Sequence, residues 1–340
     1  MRAGRSGGIL ARMKAMVCEQ WGNPEVFTLA DLPVPEPGPG QVRVKVIATS
    51  VNPVDTKIRS GRIPGPDFPA VLHGDVAGIV DATGEGVSNL AIGDAVHGCV
   101  GGFRGLSGAL AEYMIADARA LARKPESMSF REAAAMPLVS LTAWLALVDR
   151  ARVCPLDHVL IHAGAGGVGH VAVAIAKGLG ARVAATVSDR DKAAVAREMG
   201  ADEIIFYRDE TVDGYVERLT GGRGFDVVFD TVGGENVEKS FRAARVGGHV
   251  LGIAMRTTAD VSAIHERNLT VSGVFMVLPL LSGDGLEHFG DILRTLDRWY
   301  LDGRFRPVVN PTRFILNQVA EVHRLQEQGS GVGKTVIEIS

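Results

Sequence analysis

The residues with the clearest chemical spacing form a glycine-rich hexapeptide, Gly164-Ala165-Gly166-Gly167-Val168-Gly169, which fits the pattern G-x-G-x-x-G. A buried strand is expected just before it, at 158–163, and a helix-like segment follows. In this context the first glycine permits a tight turn, the second lets backbone approach a pyrophosphate, and the third lets helix and strand pack closely. The helix N-terminus then offers free N–H groups to phosphate. We predict a dinucleotide site here; the alternative is a glycine-rich turn without a ligand.

The end of the next expected strand, 181–187, bears on which dinucleotide binds. An NAD site usually carries a carboxylate at this strand end, but here the strand ends in Val187 with Ser188 next. Asp189 lies one residue further, and Arg190 and Lys192 follow. A hydroxyl and nearby cations suit a ribose 2′-phosphate, so the sequence favours NADPH. The alternative is that Arg190 and Lys192 are solvated residues at the start of a helix.

These residues need a parallel sheet to position them, and the hydrophobic pattern predicts one. Residues 14–125 alternate apolar and polar residues in short segments bounded by glycine, proline or asparagine, which indicates a β-rich barrel or sandwich. After a helical segment at 129–150, where Ser129 is a candidate N-cap with Glu132 three residues on, apolar strands alternate with helices. Further strands are expected at 202–207, 224–232, 247–253 and 269–276. The fold class is therefore α/β, with a doubly wound parallel sheet beside a β-rich domain.

Composition narrows the class of protein. The chain has 340 residues, 46% of them hydrophobic, and a net charge of −3, so two packed domains are expected and neither nucleic acid nor an anionic membrane is indicated as a partner. Three cysteines without CxxC spacing favour a reducing cytoplasm. No apolar run reaches the ~20 residues of a membrane span. Residues 1–12 are expected to be a disordered extension.

Four segments together resemble the medium-chain dehydrogenase/reductase superfamily, in its zinc-independent quinone oxidoreductase-like branch. They are HAGAGGVGHVAVAIAK, MPLVSLTAWLAL, SVNPVDTKIRSG and the closing GKTVIEI. The resemblance implies a Rossmann domain at 131–307 inserted in a GroES-like catalytic domain made of 13–130 and 308–340, with a homodimer as the expected assembly. The strand-like segment 335–339 would then return to the first domain.

The resemblance also implies roles for particular residues around NADPH. Lys192 would contact the 2′-phosphate, and Tyr207 would line the adenosine side. Loops after two later strands would flank the nicotinamide side, and they supply Thr231, Val232, Gly233, Gly252 and Ile253. Phe275, near the end of the sixth strand, would face the cleft or a subunit neighbour; the alternative is a core position.

Zinc members of the superfamily carry Cys, His and Cys as catalytic ligands, and the matching residues here are Asn52, Gly74 and Leu138. None offers a thiolate or an imidazole, the ligands that zinc prefers. The region of the structural zinc lobe, 95–112, holds one cysteine, Cys99. No metal is therefore expected. A site built from His73, Asp75 and Cys99 is the alternative, against a structural or cleft-lining role for His73.

Without zinc, an easily reduced acceptor is expected, because a quinone or an α,β-unsaturated carbonyl spreads the incoming negative charge by itself. Asn52, Asp55 and Lys57 are the candidate hydrogen-bond donors, and Lys57 stands where related quinone reductases often have tyrosine. The alternative is that Asn52 and Asp55 fix the loop while Lys57 is exposed. The chain is expected to be an NADPH-dependent reductase of quinones. An enone or enoyl reductase, a non-catalytic NADPH-binding protein and a zinc alcohol dehydrogenase remain open.

Overall fold

The N-terminal half is β-rich, as the alternating pattern predicts. The computed structural model describes residues 11–329 and 332–339, so most of the segment expected to be disordered lies outside it, although Arg12 already begins the first strand. In β3, Val42, Val44 and Val46 are buried while the residues between them are more exposed. The elements are β1 Arg12–Cys18, β2 Phe27–Pro33, β3 Gln41–Ser50, α1 Pro53–Arg59, β4 Ala70–Val71, β5 Asp75–Thr83, β6 Ala95–Cys99, β7 Tyr113–Asp117 and β8 Leu121–Arg123.

A helical region begins where the sequence predicts it. Ser129 and Glu132 form the expected capping box, with Glu132 N–H donating to Ser129 Oγ at 3.2 Å and Ser129 N–H donating to Glu132 Oε2 at 2.9 Å. The helix is divided into α2 Phe130–Ala135 and α3 Pro137–Trp144, and α3 continues into a π-helical turn over Leu145–Arg150. Proline begins α3 because it has no N–H to donate to the preceding turn.

Strands and helices then alternate, giving a six-stranded parallel sheet of order β11-β10-β9-β12-β13-β14. This is the doubly wound order expected of a dinucleotide-binding fold. The elements are β9 His158–Ile161, α4 Gly167–Gly178, β10 Arg182–Val187, α5 Arg190–Glu198, β11 Glu203–Phe206, α6 Val212–Thr220, β12 Phe225–Asp230, α7 Asn236–Ala243, β13 Ala244–Gly252, α8 Ser262–Glu266, β14 Thr270–Gly273, α9 Leu278–Ser282 and α10 Leu286–Leu301.

Both faces of the parallel sheet are covered, which explains its almost continuous apolar strands. In β9, Val159 and Ile161 belong to the larger hydrophobic cluster, which also includes the β-rich region. Leu160, between them, points to a separate cluster with Val228 and Phe241. Because successive strand residues point to opposite faces, every β9 position meets an apolar layer.

The last elements return to the β-rich N-terminal region, where they join the sheet that contains β3, as the sequence predicts for residues 335–339. They are β15 Phe314–Ile315, α11 Val319–Gln328 and β16 Val336–Glu338. Val336 in β16 pairs antiparallel with Ser50 in β3, and the sheet runs β15-β16-β3-β5-β6-β8, with β7 also pairing with β3. The strand β16 therefore lies beside the end of β3, directly before the loop that carries Asn52.

Five of the six strands predicted for the parallel sheet are longer than the observed ones, and two of these differences involve site residues. The strand expected at 158–163 ends at Ile161, because Ala163 adopts a left-handed conformation with φ of 53°. The strand expected at 269–276 ends at Gly273, so Phe275 lies two residues beyond the strand, in the segment before α9. The predicted domain boundaries remain a prediction. Within the described part of the chain, no helix has the length and apolar character required to cross a bilayer.

Candidate functional site

The glycine-rich turn joins β9 to α4, and packing explains two of its glycines. A Cβ on Gly164 would lie 2.6 Å from the Cβ of Ala185, and one on Gly169 would lie 2.0 Å from the carbonyl oxygen of Ala163. Both contacts are too short for any side chain. The expectation for Gly169, close packing of helix and strand, is thus met. For Gly164 the predicted reason is wrong: Ala163 takes the turn's left-handed conformation, and Gly164 provides clearance against β10.

Gly166, the N-cap of α4, is the open position of the turn. A Cβ there would lie 3.2 Å from Ala163 O and would meet only one other atom within 4 Å, the Cβ of Ala163. The first helical bond runs from His170 N–H to Gly166 O at 3.0 Å, so the N–H groups of the preceding residues have no partner inside the helix. Open space beside unpaired N–H groups at a helix N-terminus is what a pyrophosphate needs, so the turn fits a dinucleotide.

His170 links this turn by hydrogen bonds to the segment around Val308, which precedes the last strands of the chain. Its Nε2 accepts the N–H of Val308 at 3.1 Å, and its Nδ1 lies 2.9 Å from Gly166 O. Because a backbone N–H can only donate, Nε2 is unprotonated and the neutral ring donates its Nδ1 hydrogen to Gly166. Burial lowers the pKa of His170 to about 4, so the ring is neutral at pH 7. No local sequence pattern indicates this role, because Val308 is distant along the chain.

The strand end expected to select the cofactor contains a hydroxyl, a carboxylate and a cation in contact. Asp189 caps α5 by accepting the N–H of Lys192 at 2.9 Å, and its other oxygen accepts the Ser188 hydroxyl at 2.7 Å. Lys192 Nζ lies 3.0 Å from Ser188 Oγ and 3.7 Å from Asp189 Oδ2. The cap N–H and the hydroxyl lower the pKa of Asp189. Arg190, the first residue of α5, is exposed.

Asp230, at the end of β12, organises the loop expected on the nicotinamide side. Its Oδ1 accepts the N–H groups of Val232 at 2.8 Å and Gly233 at 2.9 Å. Thr231 donates its hydroxyl to His162 O at 2.6 Å, which fixes the loop against the end of β9. Gly233 has φ of 75°, and a Cβ there would lie 2.1 Å from Ala254 O. The loop is therefore rigid, and the sequence did not single out Asp230 as the residue that holds it.

The other residues expected to contact the cofactor differ in their position on the sheet and in their exposure. Gly252 ends β13, and Ile253 donates its N–H to Asp230 O at 3.3 Å, so both lie beside the loop that Asp230 holds. Tyr207 directly follows β11 and is 50% exposed, at the same sheet edge as Ser188. Phe275 is 60% exposed and lies outside β14. Their contacts with a cofactor remain a prediction.

Two of the three candidate donors are buried at the start of α1, where Asn52 is the N-cap and Asp55 lies in the first turn. Asp55 accepts the backbone N–H of Asn52 at 2.7 Å, which closes the first turn of α1. Burial raises the pKa of Asp55 to about 7, and its second oxygen has no hydrogen-bond partner among the described residues. The side chain of Asn52 is turned the other way, and its Nδ2 donates to Asp75 at 2.8 Å. Asp55 thus fixes the loop, as one of the two interpretations expects.

Lys57, the third candidate donor, lies on the exposed face of α1. It lines an open pocket of about 390 Å³ together with Pro53, Arg62, Gln326 and Glu327. This pocket contains none of the residues of the glycine-rich turn. The geometry favours the interpretation in which Lys57 is a surface residue, and a donor role for it stays a prediction.

A buried group, here called the Asp75 cluster, consists of Ser50, Asn52, Asp75, Lys334 and the backbone N–H of Leu138. Asp75 accepts from Ser50 Oγ at 2.7 Å, from Asn52 Nδ2 at 2.8 Å and from Leu138 N–H at 2.8 Å. Lys334 Nζ lies 3.6 Å from Asp75 Oδ2, donates to Val51 O at 2.7 Å and also donates to Asn52 Oδ1. Burial lowers the pKa of Lys334, while Asp75 and Asp55 oppose that shift. Lys334 was not predicted as a site residue, because it stands 282 residues from Asn52 in the sequence.

The residues at the positions of zinc ligands are parts of this cluster or touch it. Asn52 and Leu138 both bond to Asp75, and a Cβ on Gly74 would lie 2.7 Å from Gly101 O and 3.0 Å from Cys99 Sγ. A side chain at position 74 therefore has no room. An ammonium group stands in the cluster, and a cation at this place would be repelled by it.

The alternative metal site of His73, Asp75 and Cys99 is not assembled. His73 Nε2 is directed at His323 Nε2, 3.0 Å away, and the two rings stack. Burial keeps the pKa of the Cys99 thiol well above its usual range, and a protonated thiol is a poor ligand. Among residues 11–329 and 332–339, no group of three His, Cys, Asp or Glu side chains is arranged to hold a metal ion. His73 is a buried structural residue.

Known protein families match most of this architecture. The "Alcohol dehydrogenase GroES-like domain" family matches residues 38–126, and the "Zinc-binding dehydrogenase" family matches residues 167–284. Human quinone oxidoreductase is 30% identical over 328 residues, covering 96% of this chain and 97% of its own. The 2-haloacrylate reductase of a Burkholderia species is 35% identical over 252 residues, covering 71% of this chain and 74% of its own.

A solved structure gives the same result for the fold. A mycobacterial protein complexed with NADPH superposes with a TM-score of 0.86 at 29% identity, covering 96% of this chain and 99% of that one. The GroES-like and parallel-sheet regions, the dinucleotide turn and the relatives agree with the resemblance seen in the sequence. The chain is an oxidoreductase of the medium-chain dehydrogenase/reductase superfamily and belongs to its quinone oxidoreductase-like branch.

Proposed function

We propose that this enzyme transfers hydride from NADPH to a quinone or to an α,β-unsaturated carbonyl, without a metal. One observation carries the proposal. Where zinc members of the superfamily hold their catalytic metal, this chain has an amide, a glycine and a leucine, and the ammonium of Lys334 stands among them. An acceptor that delocalises the incoming charge does not need a Lewis acid.

The residues that would hold the cofactor follow from the geometry of the turn and of the strand ends. The N–H groups at the start of α4, beside Gly166, would bind the pyrophosphate. Ser188 and Lys192 would bind the ribose 2′-phosphate, since Asp189 is engaged as a cap. Thr231 to Gly233 and Gly252 to Ile253 would flank the nicotinamide, with Phe275 nearby. The bound cofactor supplies the hydride; the chain orients both partners and excludes water.

Asn52 is the proposed donor to the oxygen of the acceptor. Its Nδ2 has one described partner, Asp75, which leaves a second hydrogen for another acceptor. Asp55 holds the backbone of the same residue, so we propose a positioning role for it. Lys57 lies on the exposed face of α1 and is the weaker candidate. A single well-placed N–H suffices for an enolate or a hydroquinone oxygen, because most of the charge is delocalised in the acceptor.

A panel of acceptors tests the proposal. Purified protein is assayed with benzoquinone, naphthoquinone, a conjugated enone and a saturated ketone, each with NADPH and with NADH. We expect turnover of a quinone or the enone with NADPH, unchanged after chelator treatment. Turnover restricted to the saturated ketone, or lost with removal of a bound zinc, would contradict the proposal. The similarity to a 2-haloacrylate reductase favours reduction of a C=C bond as the second candidate, and the enone arm distinguishes it.

We also propose a homodimer in a reducing cytoplasm. The outer edge of β14 pairs with no other strand of the described chain, and Phe275 and Leu278 beside it are exposed. Apolar side chains at an open sheet edge suit pairing with a second copy. All three cysteines are free, which fits a reducing compartment. Sedimentation of wild type against Phe275→Glu is the test: we expect a dimer that dissociates, and a monomeric wild type would contradict it.

A further inference from the structure

The Asp75 cluster determines which way round the carboxamide of Asn52 lies. Lys334 is a cation with three N–H donors and no acceptor, so the atom of Asn52 that faces it must be the oxygen, Oδ1. Asp75, as a carboxylate, can only accept, so the atom that faces it must be the nitrogen, Nδ2. Each charged partner opposes exchange of the two ends, because a reversed amide would place its oxygen against the carboxylate and its N–H groups against the ammonium. With both, it has one orientation.

Lys334 reaches this place from the last strand, across the dinucleotide turn. Its Cδ lies 3.4 Å from the position that a Cβ on Gly167 would take, and the preceding Gly333 donates its N–H to Ala165 O at 3.4 Å. The ammonium of Lys334 donates to Val51 O and to Asn52 Oδ1, and Asp75 Oδ2 lies within ion-pair distance at 3.6 Å. Three oxygen atoms thus hold the ammonium in a buried position. The lysine side chain therefore packs directly beside the dinucleotide turn.

We infer that Lys334 is a positioning residue for the reduction: with Asp75, it fixes the Asn52 carboxamide so that an N–H, and not the carbonyl, is available to the acceptor oxygen. This inference rests on the proposed function of Asn52 as the donor. A reversed amide would present a lone pair to an oxygen that is gaining negative charge, which opposes the reaction. Lys334 touches neither the acceptor nor the hydride in this arrangement, so its effect on the rate passes through Asn52.

The test is a double-mutant cycle on the rate of enone reduction with NADPH. We expect Lys334→Met to lower kcat severalfold, since Asp75 alone still opposes reversal of the amide, with the NADPH dissociation constant within about twofold of wild type. We expect Asn52→Ala to lower kcat at least tenfold, and the double variant to be no slower than Asn52→Ala. Additive losses, or a selective loss of NADPH affinity, would overturn the inference. Lys45→Met is the matched control, since Lys45 is exposed on β3, and it should leave kcat unchanged.

A second variant separates positioning from folding. Lys334→Met alone leaves Asp75 buried without a cation, so that protein is expected to be less stable. In Lys334→Met with Asp75→Asn both charges are gone, yet the groups that distinguish the two ends of the Asn52 amide are gone too. We expect this pair to recover a melting temperature close to wild type while kcat stays at least tenfold low. Recovery of kcat together with stability would mean that Lys334 has a structural role only.

One measurement does not depend on turnover. The side-chain amide signals of Asn52 in a ¹⁵N–¹H spectrum are identified by their loss in Asn52→Ala. In wild type we expect two separate signals with slow hydrogen exchange, and in Lys334→Met with Asp75→Asn we expect faster exchange and a shifted pair. Unchanged signals would refute the fixing of the amide. If wild type reduces none of the acceptors, the proposed function fails, and these signals still decide whether Lys334 orients Asn52.

Discussion

Replacing Lys192 with alanine is the sharpest test of cofactor choice. In the structure its ammonium lies 3.0 Å from Ser188 Oγ and 3.7 Å from Asp189 Oδ2, at the strand end where a 2′-phosphate would bind. A charge-assisted hydrogen bond contributes about 1.5–3 kcal/mol. The lysine side chain is 27% exposed and also forms an ion pair with Asp189, so its contribution should lie at the lower end of this range. We expect wild type to prefer NADPH by about tenfold and Lys192→Ala to lose most of that preference.

The assay is a titration of NADPH and NADH against wild type and variant, followed by the quenching of protein fluorescence. Arg197→Ala is the matched control, because Arg197 is an exposed cation in the last turn of the same helix. It should leave the ratio of the two affinities unchanged, whereas Arg190→Ala added to Lys192→Ala should lower it further. If wild type instead binds NADH more tightly, then Asp189 holds the ribose and our assignment of this strand end is incorrect.

Three other predictions follow from the turn, the Asp75 cluster and the buried histidines. Gly166→Val should abolish cofactor binding in a folded protein, because a Cβ at 166 would lie 3.2 Å from Ala163 O, which a small shift relieves, whereas a Cβ at 169 would lie 2.0 Å from the same oxygen, so Gly169→Val should unfold the protein; equal circular dichroism melting curves for the two variants would contradict this. Purified protein should contain no stoichiometric zinc by elemental analysis, and one zinc per chain lost together with activity would refute that. Stability in urea should fall between pH 7 and pH 5, because buried histidines with lowered pKa resist protons that the unfolded chain binds below about 6.5. Burial gives His162 and His170 each a pKa of about 4, so each lowers the free energy of unfolding by about 2 kcal/mol at pH 5. Asp55, with a pKa of about 7, takes up a proton in the folded state over the same range, and this offsets the loss from about one of the two histidines. An unchanged urea midpoint at pH 5 would show that these rings are accessible to protons in the folded state.

The sequence predicts the sheet and the dinucleotide turn well because their signals are local. Alternating strands and helices, the G-x-G-x-x-G spacing and the Ser129–Glu132 capping box each lie within a few residues, and the structure confirms them. Strand ends are less predictable, since the hydrophobic run through Phe275 continues after the pairing has stopped at Gly273. Here tertiary contacts decide where a strand ends.

The organisation of the site is harder to predict because its contacts are distant in sequence. Lys334 meets Asn52 across 282 positions, and His170 meets Val308 across 138. Neither lysine nor histidine carries a local signal that distinguishes such a contact from an exposed side chain. The Asp55 carboxylate was predictable as a helix-capping group or as a donor, and only the bond to the Asn52 backbone favours the former.

The order of residues along the chain also affects how the Asp75 cluster can form during synthesis. Translation delivers Ser50, Asn52 and Asp75 first, and the segment that carries their cation emerges only after the whole parallel sheet. A nascent chain therefore holds an unpaired carboxylate and an open edge on β3 until β16 leaves the ribosome. The parallel sheet has its own strands by then and can fold first. Completion of the Asp75 cluster thus has to wait for β16, and a chain truncated before Lys334 would keep all six strands of the parallel sheet but lack both the ammonium and the strand that pairs with β3.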